Sequence, residues 1–174
     1  LKLIEKQDLS KQEKLNDVKS RTYSNLGMIY GYVDNTLKSI EYYEKSLEIK
    51  TYNRDISYSN LASNYISLGN HQKALEYLLK AYELNKISKR LLYKGFIVSN
   101  MIGTFADLGR YEEVLERIKE LNTFADGLKN TFFNNLYNAC LLSIYNECVR
   151  KTDSEVFRQI MAEIEIAEIL KNIN

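Results

Sequence analysis

Apolar residues recur along this chain at the i, i+3, i+4, i+7 spacing that is typical of the buried face of an α-helix. The clearest stripe consists of Tyr58, Leu61, Ala62 and Tyr65. A polar turn around Gly69 follows, and a second stripe of the same spacing begins after it. The pattern therefore predicts two antiparallel helices joined by a tight turn, and it recurs along the chain.

A short phrase, Ser-Asn followed by an apolar residue, marks the first helix of each pair. It occurs at Ser24-Asn25-Leu26, Ser59-Asn60-Leu61 and Ser99-Asn100-Met101, with Asn134-Asn135-Leu136 as a fourth, variant copy. The asparagines are 35, 40 and 35 residues apart. A repeat of this period indicates stacked supersecondary units. Because the 174-residue chain has no proline and only 7 glycines, long helices with short turns are expected.

The stripes divide the chain into five segments. Residues 1–19 read as the end of a preceding helix followed by a polar linker. Three hairpins follow at about 20–54, 55–94 and 95–126, and 127–174 read as a degenerate fourth hairpin that caps the C-terminal end. Asn35 or Thr36 is placed to cap the second helix of the first hairpin, Asn70 to cap that of the second hairpin, and Gly69 to end a first helix. Since Leu1 opens in the middle of a helical pattern, we expect an N-terminal part to be missing.

These hairpins resemble the tetratricopeptide repeat family, whose 34-residue helix–turn–helix pattern places aromatic and small residues at fixed positions. In the first unit those positions are held by Tyr23, Leu26, Gly27, Tyr30, Ser39, Tyr43 and Ser46. In the second they are held by Tyr58, Leu61, Ala62, Tyr65, Ala74, Leu78 and Ala81. A degenerate third unit has Val98, Met101, Ile102, Phe105, Val114, Ile118 and Leu121. The resemblance implies an all-α fold, a right-handed superhelix of antiparallel hairpins (an α-solenoid).

In this family the first helix of each hairpin lines a concave groove, so the resemblance places the recurrent asparagines there. An amide both donates and accepts hydrogen bonds, so a ladder of asparagines could hold the backbone of an extended peptide. The candidate ligand-binding residues are Arg21, Asn25, Met28, Tyr32, Asn60, Ser63, Asn100 and Asn135. The alternative is that the phrase only records duplication. The family's clamp for acidic termini uses Lys and Arg, and it is disfavoured because only Arg21 is basic here.

Nothing in the sequence indicates catalysis. There is no Gly-rich phosphate loop, no His/Cys cluster with metal-ligand spacing and no nucleophile elbow. His71, the only histidine, follows a turn and is expected to be a solvent-exposed residue at a helix start. We therefore expect a non-catalytic protein with no cofactor and no metal site.

The charge balance further narrows the possible partners. With 24 Lys and Arg against 23 Asp and Glu, the net charge is +1, which argues against direct contact with nucleic acid. A basic cluster at Lys86, Lys89, Arg90 and Lys94 is interpreted as a solvated linker face. No apolar run approaches the roughly 18 residues of a membrane span. Cys140 and Cys148 fit small core residues of a cytoplasmic protein.

The sequence leads to three functional hypotheses, and each of them involves a protein or peptide partner. The first is a scaffold domain that holds an extended partner segment in its concave groove. A first alternative is the sensory repeat domain of a bacterial, Gram-positive type peptide-responsive transcriptional regulator, whose N-terminal effector or DNA-binding domain would be absent here. It rests on a resemblance to peptide-pheromone receptors. A second alternative is a homodimer formed through the C-terminal helices, with Ile160, Ile164 and Leu170 at the interface.

Overall fold

A computed structural model of the chain describes residues 2–49, 54–88, 90–125, 155 and 158–162. Its helices are α1 (Lys2–Tyr32), α2 (Thr36–Glu48), α3 (Arg54–Ser67), α4 (His71–Ser88), α5 (Leu91–Asp107) and α6 (Tyr111–Ala125). Within the described ranges there is no strand. The chain divides into two compact units, Leu1–Lys89 and Arg90–Asn174. The prediction of an all-α fold built from helical pairs is therefore confirmed.

In the first unit, α1 pairs with α2, α3 pairs with α4, and α2 packs against α3. The apolar stripes predicted from the sequence form the contacts between these helices. The central cluster contains Ile40, Tyr43, Leu61, Tyr65 and Ala74. Leu61 and Leu78 are fully buried, and burial of a leucine side chain stabilises a fold by roughly 1.5–3 kcal/mol.

Gly27 permits the close approach of α1 and α2. A Cβ atom added at Gly27 would lie 3.0 Å from carbon atoms of the Tyr43 ring, closer than such atoms normally approach. The corresponding residues of the second hairpin, 35 positions later, are Ala62 and Leu78. The first hairpin therefore combines glycine with the bulky tyrosine ring, and the second hairpin combines alanine with the smaller leucine side chain.

The three helix–helix turns have the same backbone geometry. The second residue after each first helix has a positive φ angle, and these residues are Asp34 (57°), Gly69 (70°) and Gly109 (71°). The next amide in each turn donates to a carbonyl five residues earlier, as in the bond from Asn70 N to Tyr65 O of 2.9 Å. This arrangement is the Schellman motif, which satisfies carbonyls at the helix end. Aspartate, which stands at position 34, is one of the few non-glycine residue types that tolerate a positive φ angle.

The cap predicted at Asn70 is confirmed, and of the two candidates in the first hairpin Asn35, not Thr36, caps α2. Asn35 Oδ1 accepts a hydrogen bond from the Lys38 amide at 3.2 Å, and Asn70 Oδ1 accepts one from the Lys73 amide at 3.1 Å. Such a cap typically contributes about 1 kcal/mol to helix stability. Asn35 and Asn70 thus fix where α2 and α4 begin.

The polar turn expected between Leu9 and Ser20 is not formed, because α1 is one continuous helix from Lys2 to Tyr32. This prediction was wrong for a simple reason. The residues before Ser20 are rich in Lys, Glu, Gln and Leu, which are good helix formers, and they include no glycine or proline to end a helix. The interval of 40 residues between Asn60 and Asn100 is longer than the other intervals of 35 because the helices there are longer, since α4 continues to Ser88 and α5 begins at Leu91.

In the second unit, α5 and α6 form the third hairpin. Its fully buried side chains include Ile97, Val98, Met101, Ile102, Val114, Ile118 and Leu121. Most of the predicted fourth hairpin, including Asn135, Cys140, Cys148, Ile164 and Leu170, lies outside the described residues. Ile160 is described and is fully buried within the chain. It is therefore not exposed for the C-terminal dimer contact expected of it.

Candidate binding surface

Four of the predicted groove residues share one face of α1. Arg21, Asn25, Met28 and Tyr32 follow one another at steps of four, three and four residues, and all are exposed. Tyr32 is 80% exposed. Arg21 forms an ion pair of 2.6 Å with Asp17, one helical turn earlier. This face therefore presents an amide, a thioether and a phenol together, while its single guanidinium group is already paired.

Two further candidates lie on α3. Asn60, 35 residues after Asn25, and Ser63 are both half-buried. The Ser63 hydroxyl donates a hydrogen bond of 3.2 Å to the carbonyl of Ser59 in its own helix. Because α1 and α3 lie side by side through the Ser24–Ser57 hydroxyl contact of 3.2 Å, the two sets of candidates belong to neighbouring helices.

The two remaining candidates lie later in the chain. Asn100 lies on α5 in the second unit, where it is half-buried and its carbonyl accepts a hydrogen bond of 2.7 Å from Thr104 Oγ1. Asn135 lies outside the described residues. The surface that the structure describes therefore consists of the exposed faces of α1 and α3.

A chain of serine hydroxyls, not foreseen from the sequence, sets the spacing of these helices. Ser46 Oγ lies 3.1 Å from Ser20 Oγ and 3.1 Å from Ser57 Oγ, and Ser57 in turn contacts Ser24. These residues come from α2, α1 and α3, so one network links three helices. Buried hydroxyls need such partners, and each hydrogen bond contributes about 0.5–1.5 kcal/mol net.

A second polar link joins the first hairpin to α3. Ser39 Oγ donates to the Gly27 carbonyl at 2.7 Å, and Asn64 Nδ2 donates to Ser39 Oγ at 2.8 Å. Ser39 and Ser46 occupy two small-residue positions of the repeat pattern, where the second unit has Ala74 and Ala81. In the first repeat these positions therefore provide hydrogen bonds as well as close packing.

Asp55 is a carboxylate that is almost fully buried in the first turn of α3. Its Oδ2 accepts a hydrogen bond of 2.8 Å from Ser88 Oγ and a weaker one of 3.4 Å from Asn85 Nδ2. The free amides and the dipole at a helix N-terminus also favour a negative charge there. Asp55 therefore anchors the end of α4 to the start of α3, which is a structural role.

The first unit also has a repeated cluster of tyrosines and lysines, which we call the tyrosine edge. In the first hairpin the Tyr42 ring lies 6.3 Å from Tyr23 and 5.2 Å from Tyr30. In the second hairpin the Tyr77 ring lies 5.9 Å from Tyr58 and 5.6 Å from Tyr65. The ammonium groups of Lys38, Lys45, Lys73 and Lys80 lie over these rings at 4.4–5.1 Å.

The tyrosine edge also shifts the ionisation of its members. Burial raises the pKa of Tyr77 above its usual value. A hydrogen bond to the Tyr65 side chain raises the pKa of Lys73, against a smaller opposing effect of burial. The sequence held a signal for this cluster, because Tyr42 and Tyr77 are 35 residues apart, as are the lysines around them. A comparison of equivalent positions in successive hairpins would have found this cluster, whereas the spacing of residues within one helix does not show it.

Among the residues that the structure describes, no group of three His, Cys, Asp or Glu side chains could hold a metal ion. In the same part of the chain, no helix combines the length and the apolar character needed to cross a membrane. His71, predicted to be solvent-exposed, is instead half-buried at the start of α4.

Comparison with known proteins shows which repeat family part of the chain matches. Residues 18–87 match a family model of the tetratricopeptide repeat. No curated protein sequence matches the chain. Solved structures do match it, among them the N-terminal domain of stress-induced protein-1 from C. elegans, at 13% identity and a TM-score of 0.57, which covers 72% of this chain and 95% of that domain.

Two further structures give the same result. The Sgt2 repeat domain from Aspergillus fumigatus is 20% identical with a TM-score of 0.55, and the match covers 78% of this chain and 84% of that one. Repeats of a putative kinesin light chain from Podospora anserina are 12% identical with a TM-score of 0.62, and that match covers 87% of this chain and 76% of the other. At these identities the likeness shows the fold alone, an all-α helical-repeat fold of the solenoid class.

Proposed function

We propose that this chain, whose residues 18–87 belong to the tetratricopeptide repeat family, is a non-catalytic scaffold that holds an extended segment of a protein partner. Domains of this family generally mediate protein binding. The proposed site is the face formed by Arg21, Asn25, Met28 and Tyr32 on α1 with Asn60 and Ser63 on α3. Asn100 and Asn135 remain candidates in their own repeats by sequence position alone. The protein is proposed to act in the cytoplasm without a cofactor.

The observation that carries this proposal is the mixed chemistry of the α1 face. Asn25 is exposed on the helix surface, so its amide is accessible to a partner that offers backbone N–H and C=O groups. Met28 and Tyr32 lie one and two turns further along the same face and are also exposed. They provide adaptable apolar contact, for which methionine and tyrosine are well suited. Such a face would bind a main chain and accept varied side chains.

The serine network supports the same proposal, because it orders the face before a ligand arrives. Ser24 lies next to Asn25, and Ser57 lies one turn before Asn60 and Leu61. The hydrogen bond between Ser24 and Ser57 therefore fixes the relative position of the two helices that carry the asparagines. A site whose helices do not need to be ordered on binding avoids part of the entropic cost of association.

The sensory repeat domain of a peptide-responsive bacterial regulator is retained as a narrower form of the same proposal. The observation that favours it is that asparagines, rather than Lys or Arg, occupy the groove positions, and that Arg21 is already paired with Asp17. Such a domain would take a short extended peptide instead of a segment of a folded protein. An effector or DNA-binding domain in the same polypeptide would support it, and its absence from the complete gene product would contradict it.

An array of synthetic extended peptides, probed with the purified protein, tests the site. Each of Asn25→Ala and Asn60→Ala is expected to weaken the binding of peptides captured by the wild type by about tenfold, since one lost hydrogen-bonding group costs about 1.4 kcal/mol. Asn16→Ala is the matched control, because Asn16 lies on α1 outside the proposed site and contacts Gln12. Unchanged affinity for both test variants, with their folding intact by circular dichroism, would mean that the asparagines are not a binding site.

A further inference from the structure

Charge is distributed unequally between the two helices of each hairpin. No Lys, Arg, His, Asp or Glu occurs in residues 22–32 of α1, 56–67 of α3 or 95–106 of α5. We call these three stretches the neutral segments. The second helices are rich in charge, with five Lys or Glu residues in each of α2 and α4 and six charged residues in α6. Because 27% of the whole chain is charged, each neutral segment is a departure from the average composition.

Burial does not explain the neutral segment of α1. Six of its residues are exposed, and none of them carries a charge: Thr22, Asn25, Met28, Ile29, Gly31 and Tyr32. Five residues of α2 are exposed, and all but Leu37 are charged: Lys38, Glu41, Glu44 and Glu48. The outward face of a surface helix ordinarily carries such charged residues. The lack of charge on α1 is therefore a property of its surface and not of its core.

The neutral segments contain almost all of the proposed site. The positions of Asn25, Met28 and Tyr32 on α1 recur 35 residues later on α3, where they are held by Asn60, Ser63 and Ser67. On α3 the last of these is exposed and the other two are half-buried, although the first hairpin precedes α3. This face of a first helix therefore stays accessible when another hairpin stands before it.

The charged groups nearest to the proposed site are engaged elsewhere. Arg21, the one charged residue of the site, is paired with Asp17 at 2.6 Å. Arg54, at the start of α3, donates a hydrogen bond of 2.8 Å to a hydroxyl of the tyrosine edge. Every lysine of α2 and α4 lies over a tyrosine ring. Lys14 and Asp34 are exposed, but they lie beyond the two ends of the α1 neutral segment.

We propose that the partner segment held by this site is an uncharged stretch of polypeptide, and that the site rejects segments with charged side chains. This inference rests on the function proposed above and names the class of partner. A charged side chain placed against the neutral segments would lose hydration and gain no counter-ion. Amide, hydroxyl and apolar side chains lose less, and Met28 and Tyr32 give them an apolar contact. Specificity then comes from the segments that are rejected as well as from those that are accepted.

Three matched sets of synthetic peptides test this class of partner. Each peptide has about ten residues, which is long enough to cross two neighbouring helices when extended. The sets share their apolar residues and differ at the polar positions, which hold Asn, Gln and Ser in the neutral set, Asp and Glu in the acidic set, and Lys and Arg in the basic set. The neutral set is expected to bind about tenfold more tightly than either charged set. Its affinity should hardly change with salt, because no ion pair contributes to it.

A charge placed in the site should change this preference. Met28→Lys adds an unpaired ammonium group, and this variant is expected to bind the acidic set about fivefold more tightly than the wild type does. Leu79→Lys is the matched control, since Leu79 is 46% exposed and Met28 is 43% exposed. Leu79 lies on α4, outside the neutral segments, so this variant should bind all three sets like the wild type.

The outcomes separate this inference from the function on which it rests. If the wild type bound a charged set as tightly as the neutral set, and Asn25→Ala reduced that binding, the inference would be wrong and the proposed function would stand. Binding of no set, or binding that neither Asn25→Ala nor Asn60→Ala reduces, would overturn both. An equal gain for the acidic set in Met28→Lys and Leu79→Lys would show an effect of net charge, and the inference would again be wrong.

Discussion

The second and third hairpins place different chemistry at the same repeat positions. Five positions of the tyrosine edge can be compared with the residues that lie 40 positions later. The second hairpin has Tyr58, Tyr65, Lys73, Tyr77 and Lys80 at these positions, and the third hairpin has Val98, Phe105, Glu113, Arg117 and Glu120. Stacked tyrosines with lysines over their rings are replaced by ion pairs, in which Arg117 binds Glu120 at 2.5 Å and Lys94 binds Glu120 at 2.8 Å. One helical-pair geometry thus accepts two different ways of joining its helices at this edge.

The two edges differ in energy as well as in chemistry. An aromatic pair contributes about 0.5–1.5 kcal/mol beyond its buried area, and a cation–π contact adds about 0.5–1 kcal/mol at an exposed site. Ion pairs near the surface contribute about 0–1 kcal/mol, since they must hold two long side chains in place and are screened by salt. We therefore expect the tyrosine edge to hold its hairpin more firmly than the ion pair between Lys94 and Glu120 holds α5 against α6, since the pair between Arg117 and Glu120 lies within α6.

The largest predicted effect comes from the removal of the central ring of the tyrosine edge. Tyr77→Ala loses the stacking on Tyr58 and Tyr65 and the contact with Lys80, and it should lower the stability of the first unit by about 2–3 kcal/mol. Arg117→Ala, the corresponding change in the second unit, should cost about 1 kcal/mol or less.

Hydrogen exchange measured by mass spectrometry reports the two units separately and so checks this difference. High salt provides the control, because it should reduce the effect of Arg117→Ala and leave the effect of Tyr77→Ala unchanged. Equal losses from the two substitutions, or a loss at Tyr77 that disappears in salt, would contradict the comparison.

A smaller effect is predicted at the turn that precedes α6. Asn35 and Asn70 cap α2 and α4, but the equivalent residue before α6 is Arg110, whose carbonyl accepts from the Val114 amide at 3.2 Å and whose side chain has no acceptor. Arg110→Asn should add a cap of about 1 kcal/mol and lose the ion pair with Glu113, which is worth about 0.3–0.5 kcal/mol. The expected net gain for the second unit is about 0.5 kcal/mol.

The reverse change in the first unit is the matched control. Asn70→Ala removes the bond that caps α4 and should cost about 1 kcal/mol, as a shift in the urea midpoint. If Arg110→Asn destabilised the second unit, the contact of the Arg110 guanidinium with the Phe105 ring, 4.9 Å away, would outweigh a helix cap. The turn would then depend on the same cation–π chemistry as the tyrosine edge.

These positions also show how far the sequence could predict the structure. The stripes on α3 and α4, and the caps at Asn35 and Asn70, were predictable because they depend on spacing within one helix or one turn. The stacking of Tyr77 was not, because it depends on how two helices are rotated against each other. Similarly, Ser46 was recognised as a small residue at a close helix contact, but its bonds to Ser20 and Ser57 require the packed positions of three helices.

The candidate site shows the same limit. The resemblance to the repeat family placed Arg21, Asn25, Met28 and Tyr32 on one groove-lining face, and the structure shows all four exposed. The length of α1 did not follow, because a polar sequence without glycine or proline fits both a linker and a helix. That error also hid the position of Leu15 and Val18, two exposed apolar residues of α1 that precede the residue at which the first hairpin was predicted to begin.

The smallest predicted effect is a difference in pH dependence between the two edges. The pKa of Tyr77 is raised by burial, so the folded state keeps this proton to a higher pH than the unfolded chain does. Its contribution is therefore fully present below about pH 10, the ordinary tyrosine pKa, and is lost as the pH rises through the folded pKa. Lys73, whose pKa is also raised, acts in the same direction.

Glu113 in the second unit has the opposite dependence. Its hydrogen bond with Arg110 lowers the pKa of the carboxyl group, so its contribution is present above the ordinary value of 4.5 and is lost as the pH falls through the folded pKa. Hydrogen exchange at steps of pH should therefore show the alkaline loss in the first unit alone. The acid loss should appear in the second unit and also in the first, where a hydrogen bond with Lys45 lowers the pKa of Glu41. Tyr77→Phe should reduce the alkaline loss and Glu113→Gln the acid loss. If both units weakened equally at each extreme, the pH dependence would come from net charge and not from the two edges.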